Sequence, residues 1–382
     1  MHIPKVILVV ETSRAFGRRL LLGITKYARL HGPWAFYREP SGLQSSYPKL
    51  IDWHADGIIM RNAKTSKQLL ELNIPTILVP HNNEIYPEFP VVKTDGESIS
   101  KMAADHLLGM GLKNFAYCGF DDFPWSLERQ NYFEKYISDK GYLISIFHHS
   151  QKPSKRKWEN EQILMADWLK KLPKPIGVMA CNDDKGQHVI EACKIAELRI
   201  PEDVAVIGVD NDDLICDLCD PPLTSVALNV EKAGYETARL LDFMMSNNKS
   251  TINKNIVVKP TYVRTRHSTD IIATEDKELT KAISFIRQNF RKDIKVEDVV
   301  EATLLSRRSL EQRFRNKLNR SINSEIRRIR VEHISKLLVE TDLSISEIAY
   351  GLGFSSAEHI SRYFQREKGK CPREFRKVKT PR

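Results

Sequence analysis

A chain of 382 residues exceeds what one ordinary core organises, and with 41% hydrophobic and 28% charged residues it suits a globular protein of two or three domains, not a disordered one. The apolar run near the N-terminus, Val6 to Val10, is too short for a signal peptide or a membrane span, so a cytoplasmic protein without membrane association is expected. The net charge of +10 sits at one end: residues 273–382 carry 25 Lys and Arg against 16 Asp and Glu, whereas residues 1–272 are nearly balanced. A local excess of this kind suits a polyanionic partner, although a merely solvated basic face would look the same. The six cysteines (118, 181, 193, 216, 219 and 371) are scattered and no secretory signal precedes them, which points to reduced thiols.

In chain order, short apolar runs alternate with helical patterns: KVILVV, FGRRLLLGITKYARLHG, DGIIM, SKQLLELNI and PTILVP. The alternation resumes after SISKMAADHLLGMG with NFAYCGF, a helix through ERQNYFEKYISDKG, YLISIFHH, a helix through ENEQILMADWLKKL, IGVMACN, a helix to about Glu197, and VAVIGVD. This order predicts parallel sheets with crossover helices, in two lobes facing a cleft. Ligands of such sheets sit beyond the C-terminal ends of the strands. The loops there offer Arg14 and Phe16, then Trp125 and Arg129, then Asp183, then Asp210 with Asn211. Carboxylates and guanidinium groups suit vicinal hydroxyls, and a tryptophan suits the apolar face of a sugar ring. Asp183 and Asp210 would also serve as helix caps, Trp125 and Phe16 as packing residues, and Arg129 as half of an ion pair.

The run VIGVDNDDLICDLCDPP, residues 206–222, concentrates five aspartates and a C-x2-C pair. A structural zinc site needs four ligands and no second C-x2-C exists; a calcium loop counted from Asp210 has Ile215 and Pro221 where glycine and glutamate are required. No metal or other cofactor is expected. Asp212, Asp213, Asp217 and Asp220 read as solvated or capping residues, and Cys216 and Cys219 as incidental. The chain also lacks G-x4-GK[ST], G-x-S-x-G and the dinucleotide glycine pattern, so an enzyme is not expected.

The polar, turn-rich stretch HSTDIIATED, 267–276, marks a boundary, giving domains 1–268 and 269–382. Beyond it all segments read as helices, and one pattern occurs twice, at about 296–317 and 345–367: short helix, tight turn, serine, helix. Ser306 and Ser356 occupy matching N-cap positions, while Leu310 with Phe314 and Ile360 with Phe364 are spaced to share a buried face. The opposite faces carry Arg308, Glu311, Gln312 and Arg315, and Glu358, His359, Arg362 and Arg366, with Arg307 beside the first cap. Arg and Gln on such a face suit base edges, and serine at a helix start suits phosphate. Glutamates accept from cytosine but repel phosphate, which leaves Glu311 and Glu358 open. A joining helix from about Ser324 to Glu340, about 25 Å long, suits recognition helices in successive major grooves, about 34 Å apart.

The segments SRRSLEQRFRNKLNRS and RIRVEHISKLLVETDLSISEIAYGLGFSSAEHISRYFQREKGKCPREFR resemble the DNA-binding domain of the arabinose-operon activator (AraC) family. The resemblance implies sequence-specific binding of double-stranded DNA by both helices. One departure is Asn319 at a position where that family often has glycine. The segments GVMACNDDKGQHVIEACKIAELRIPEDVAVIGVDNDD and PPLTSVALNVEKAGYETARLL resemble the lactose-repressor (LacI) and periplasmic sugar-binding families, although no DNA-binding headpiece precedes KVILVV. This second resemblance implies sugar contacts at Arg129, Asp183 and Asp210, with Trp125 as a stacking plate. Together the two resemblances imply a two-lobed α/β sensor of periplasmic-binding-protein type followed by an all-α domain with two helix-turn-helix motifs. They imply a sugar-responsive transcription regulator, with a pentose, D-xylose, as effector. A homodimer activating sugar-utilisation genes through RNA polymerase is expected, with a different sugar as effector or repression as the alternatives within this architecture, and metal sensing or catalysis as the other classes.

Overall fold

The computed structural model describes residues 2–38, 53–61, 67–80, 88–148, 157–247, 254–270, 276–318, 320–341 and 343–379; Asn319 and part of the expected boundary stretch lie outside them. Two compact units are present, residues 1–271 and 272–382.

In the first unit, strands β1 (Lys5–Val9), β2 (Ala35–Arg38), β3 (Gly57–Met60) and β4 (Thr76–Leu78) form a parallel sheet in the order β2-β1-β3-β4. Helix α1 (Ala15–His31) follows β1, and α2 (Lys67–Leu70) precedes β4. Strand β5 (Val92–Thr94) then carries the chain into a second lobe through α3 (Gly96–Gly109). There β6 (Asn114–Cys118), α4 (Pro124–Asp139), β7 (Ile144–Phe147), α5 (Trp158–Lys171), β8 (Ile176–Ala180), α6 (Asp183–Ile195), β9 (Val204–Asp210), α7 (Asp213–Leu218) and β10 (Thr224–Leu228) follow. Helix α8 (Val230–Ser246) and β11 (Ile256–Val258) return to the first lobe, and β12 (Pro260–Arg264) closes the second sheet, β12-β10-β9-β8-β6-β7, antiparallel to β10.

Val204 to Val209 of β9 are buried without alternation, as expected of a strand covered on both faces. The second-lobe core includes Ala116, Val178 and Val206 of the sheet packed under Met165, Leu169, Val189 and Ile190 of the helices. Helices α1 and α8 meet at two glycines. A Cβ on Gly23 would lie 2.0 Å from the Glu231 carbonyl oxygen, and one on Gly234 would lie 2.1 Å from that of Leu20. The three chain crossings between lobes are tied together: Asp95 N–H donates to Val258 O at 2.9 Å, Asn229 N–H to Lys259 O at 3.0 Å, and Lys259 N–H to Asn229 Oδ1 at 2.7 Å.

The second unit is helical: α9 (Lys277–Asn289), α10 (Val296–Glu301), α11 (Arg307–Leu318), α12 (Ile322–Glu340), α13 (Ile345–Gly351), α14 (Ala357–Lys368) and α15 (Pro372–Lys379). The joining helix starts two residues before the expected Ser324, because Ser321 caps it by accepting from Ser324 N–H at 3.1 Å. Ser344 and Glu347 form a reciprocal capping box on α13. Among the described residues no helix is long and apolar enough to cross a membrane.

Candidate functional site

The cleft of the first unit is built at the C-terminal ends of β1, β3, β6, β8 and β9. Strand β9 ends with two successive non-glycine residues at positive φ, Asp210 at 103° and Asn211 at 49°. L-residues resist this backbone, so such strain persists only where the surroundings hold it. Burial pushes the Asp210 carboxyl up; the guanidinium groups of Arg129, Arg61 and Arg14 oppose the rise, and Asp184 adds to it. Asp210 therefore sits among cations from three elements: the loop before α1, the end of β3 and helix α4.

Arg61 was not singled out by sequence, although it follows DGIIM and obeys the strand-end rule that found the others. Its guanidinium lies 5.3 Å from the Phe16 ring centroid, and burial lowers its pKa while Glu11 and Asp210 act against that. Across the cleft, Trp125 stacks on Phe123 at 5.8 Å and meets Phe120 edge-on at 6.2 Å. Arg129 is 2% exposed and lies 5.1 Å from the Trp125 ring, with Nη1 donating to the Cys181 carbonyl. Its Nε is buried and makes no hydrogen bond among the described residues, and the same holds for Asn211 Oδ1.

Asp183 is placed differently from its neighbours. It is buried inside the second lobe, where its carboxylate accepts from Asp212 N–H at 2.7 Å and from Ser225 Oγ at 2.5 Å. Burial raises its pKa well above the usual range and Asp210 adds to this, against hydrogen bonds from Ser225, Asp212 and Cys216. It does not cap α6; Asn182 does, accepting from Lys185 N–H at 3.0 Å. Asp184 is the carboxylate that turns to the other lobe, pairing with Arg14 Nε at 2.7 Å.

Asp212, expected to be solvated or capping, caps α7 through Leu214 N–H at 3.2 Å and also bridges the lobes. Its Oδ2 accepts from Ala15 N–H at 2.6 Å, at the start of α1, and Arg18 Nη2 donates to both its oxygens at 3.0 and 3.1 Å. Arg19 adds bonds to the carbonyls of Asp210 and Asn211 at 3.3 and 2.9 Å. The N-terminus of α1, with its partial positive charge, is thus held by a carboxylate of the opposite lobe. Asp213 and Asp217 are paired as well, with Arg264 and Arg266 at the end of the sensor sheet. Cys216 and Cys219 are buried, and burial pushes both thiols up, Cys219 to about 12.

In the second unit, Ser306 accepts from Ser309 N–H at 3.3 Å and Ser356 from His359 N–H at 3.2 Å, while Leu310, Phe314, Ile360 and Phe364 are fully buried. Arg308, Gln312 and Arg315 on α11, and His359, Arg362 and Arg366 on α14, are exposed. Arg307 is exposed but paired with Glu297. The two glutamates differ in exposure, Glu358 being exposed. Glu358 is held below the usual carboxylate range by Ser356, at the start of its own helix, and Glu311 is half-buried.

Residues 104–269 match a periplasmic binding protein-like domain and residues 299–378 a helix-turn-helix domain. The chain is 31% identical over 381 residues to the xylose operon regulatory protein of Haemophilus influenzae, covering 97% of this chain and 98% of that one. It is 28% identical over 383 residues to the protein of the same name from Escherichia coli K12, covering 98% and 97%. The solved structure of a xylose-binding transcription activator superposes with a TM-score of 0.81 over the whole of both chains at 26% identity. A transcriptional regulator in complex with cellobiose covers 69% of this chain with a TM-score of 0.56 at 22% identity, a likeness of fold alone.

Proposed function

The chain belongs to the family of xylose operon regulatory proteins, and on that premise we propose that it is a D-xylose-responsive activator whose effector binds at Asp210. Transcription regulation through DNA binding is the function of its architecture, a sugar sensor joined to a double helix-turn-helix.

The observation that carries the ligand reading is the pair of buried, unbonded polar atoms beside Asp210: the donor Arg129 Nε and the acceptor Asn211 Oδ1. Each such atom costs about 1–3 kcal/mol when left dry. A hydroxyl both donates and accepts, so a polyol satisfies groups of both kinds. Asp210, Arg14 and Arg61 supply charge-assisted bonds to further hydroxyls, and Trp125 and Phe16 supply apolar faces for a ring. Asp183 acts through Asp212 as a positioning residue, and Asp184 takes its place at the cleft.

Sugar bound between the lobes favours the arrangement in which Asp212 holds α1. DNA binding follows that arrangement only as far as sugar binds it more tightly than its alternatives. The regulator works in the cytoplasm as a homodimer presenting four recognition helices to paired half-sites and to RNA polymerase. Ser306, Arg308, Gln312, Arg315, Ser356, His359, Arg362 and Arg366 face the DNA.

Calorimetric titration with a panel of pentoses and hexoses tests the ligand reading. D-xylose is expected to bind, and Asp210→Ala to weaken it by about 100-fold, the loss of one charged hydrogen-bonding partner. Binding of a hexose in place of D-xylose would overturn the ligand, and full binding by Asp210→Ala the site.

A further inference from the structure

The two helix-turn-helix units have separate apolar cores. The first gathers Leu310, Phe314, Ile322, Ile326 and Ile329, with Phe290 and others from α9 and α10. The second gathers Val331, Ile334, Leu338, Ile348, Phe354, Ile360 and Phe364. Both draw on α12, and the residue between their nearest members on that helix, Ile329 and Val331, is Arg330. It is 3% exposed.

The Arg330 guanidinium bonds to both units. Its Nη2 donates to the Leu352 carbonyl at 2.6 Å, in the turn between α13 and α14. Its Nη1 donates to the Lys292 carbonyl at 3.1 Å and to Asp293 Oδ1 at 3.4 Å, in the loop between α9 and α10. The same plane lies 4.5 Å from the Phe354 ring centroid and 5.9 Å from that of Tyr363 on α14. A rigid fork that reaches two backbone loops and a ring at once is a property of arginine alone. Stability alone is a weak reason for a buried cation, because taking the charge out of water offsets much of what its bonds return. Geometry does explain it: two cores that share only a helix need a directional bond to fix one against the other.

We infer that Arg330 is a positioning residue for operator specificity: by pinning the two units it fixes the separation between the recognition helices α11 and α14, and so the spacing of DNA segments the protein accepts. This rests on the reading that both helices contact DNA, and the experiment separates the two.

Duplexes selected from a random library by the full-length wild-type protein are footprinted, and a second set is made with two base pairs inserted between the contacted segments. A third set keeps one segment only. Wild type is expected to lose on the order of 30-fold on insertion, comparable to one or two mismatched base pairs. Arg330→Met is expected to melt somewhat lower, the Leu352 and Lys292 carbonyls having lost their donor, yet in the folded state to bind single-segment DNA as wild type does and to lose only about 3-fold on insertion; Arg330→Lys, which keeps charge without the fork, behaves in the same way at the DNA. A merely structural role would lower affinity for all three sets together, and that result, or an insertion penalty unchanged in the folded variants, overturns the inference. If both variants unfold, Phe354→Leu removes the ring from the same pin, and an unchanged insertion penalty there overturns it equally. A wild-type protein indifferent to insertion would instead sink the two-helix reading, and this inference with it.

Discussion

Asp183 and Asp184 are adjacent in sequence, but what surrounds each carboxylate differs. Asp183 is enclosed by Asp212 N–H, Ser225 and Cys216, whereas Asp184 meets Arg14 of the other lobe. Asp183→Ala would leave a buried N–H and a hydroxyl unpaired and is expected to lower unfolding free energy by about 2 kcal/mol in urea titration. Asp184→Ala should leave stability unchanged and weaken sugar binding by about 10-fold, an ion pair at the cleft having been lost. The reverse assignment of the two effects would contradict the site. Strand-end logic puts a carboxylate in this loop with a resolution of about one residue when a helix starts there, so it picks out Asp183 without telling it from Asp184, whose side chain meets the other lobe. Asp212 escaped for another reason: its partners Ala15 N–H and Arg18 lie in the opposite lobe.

Asp210 also carries a sign that can be measured. A carboxyl whose folded-state pKa is raised contributes stability below its unfolded value, near about 3.9, and that contribution is lost as pH climbs towards the folded value. Ionised Asp210 therefore costs stability at neutral pH in the sugar-free protein. Asp210→Asn, neutral and tolerant of positive φ, should melt at or above wild type at pH 7 and bind sugar poorly. A fall in melting temperature of more than a few degrees would show that the carboxylate is held by its arginines more strongly than burial opposes it.

Among the elements, those with long, unambiguous patterns were legible: the buried strand VAVIGV, the amphipathic α1, and the serine-capped α11 and α14. Strands β5 and β11, three residues each, carry no readable period, yet they form the paired crossing between lobes. Nor does a sequence reveal that Gly23 and Gly234 let α1 and α8 touch backbone to backbone. Gly234→Ala is expected to cost about 3 kcal/mol in the same urea titration, since the facing atom is a carbonyl that cannot turn aside. Gly109→Ala, with nothing within 4 Å, is the control and should be neutral or slightly stabilising. On the reading helices, Arg362→Ala should reduce affinity by about 10-fold or more and relax base preference at one position, whereas Glu358→Gln should leave the preference intact because that carboxylate serves Ser356. A footprint and preference unchanged in Arg362→Ala would remove it from the reading face.

At the scale of the whole molecule the charge division and the two resemblances in sequence gave the plan: a nearly neutral sensor and a basic reader. What the plan needs in order to work is a free-energy coupling between sugar and DNA, and such coupling is reciprocal. Typical couplings are about 5–150-fold. The most direct measurement is a calorimetric titration of D-xylose into the full-length protein, alone and saturated with its operator duplex, beside the operator affinity with and without the sugar. The proposed function predicts that DNA tightens xylose binding by the same factor, at least about 5-fold, by which xylose tightens DNA binding; xylose affinities equal with and without DNA would contradict it.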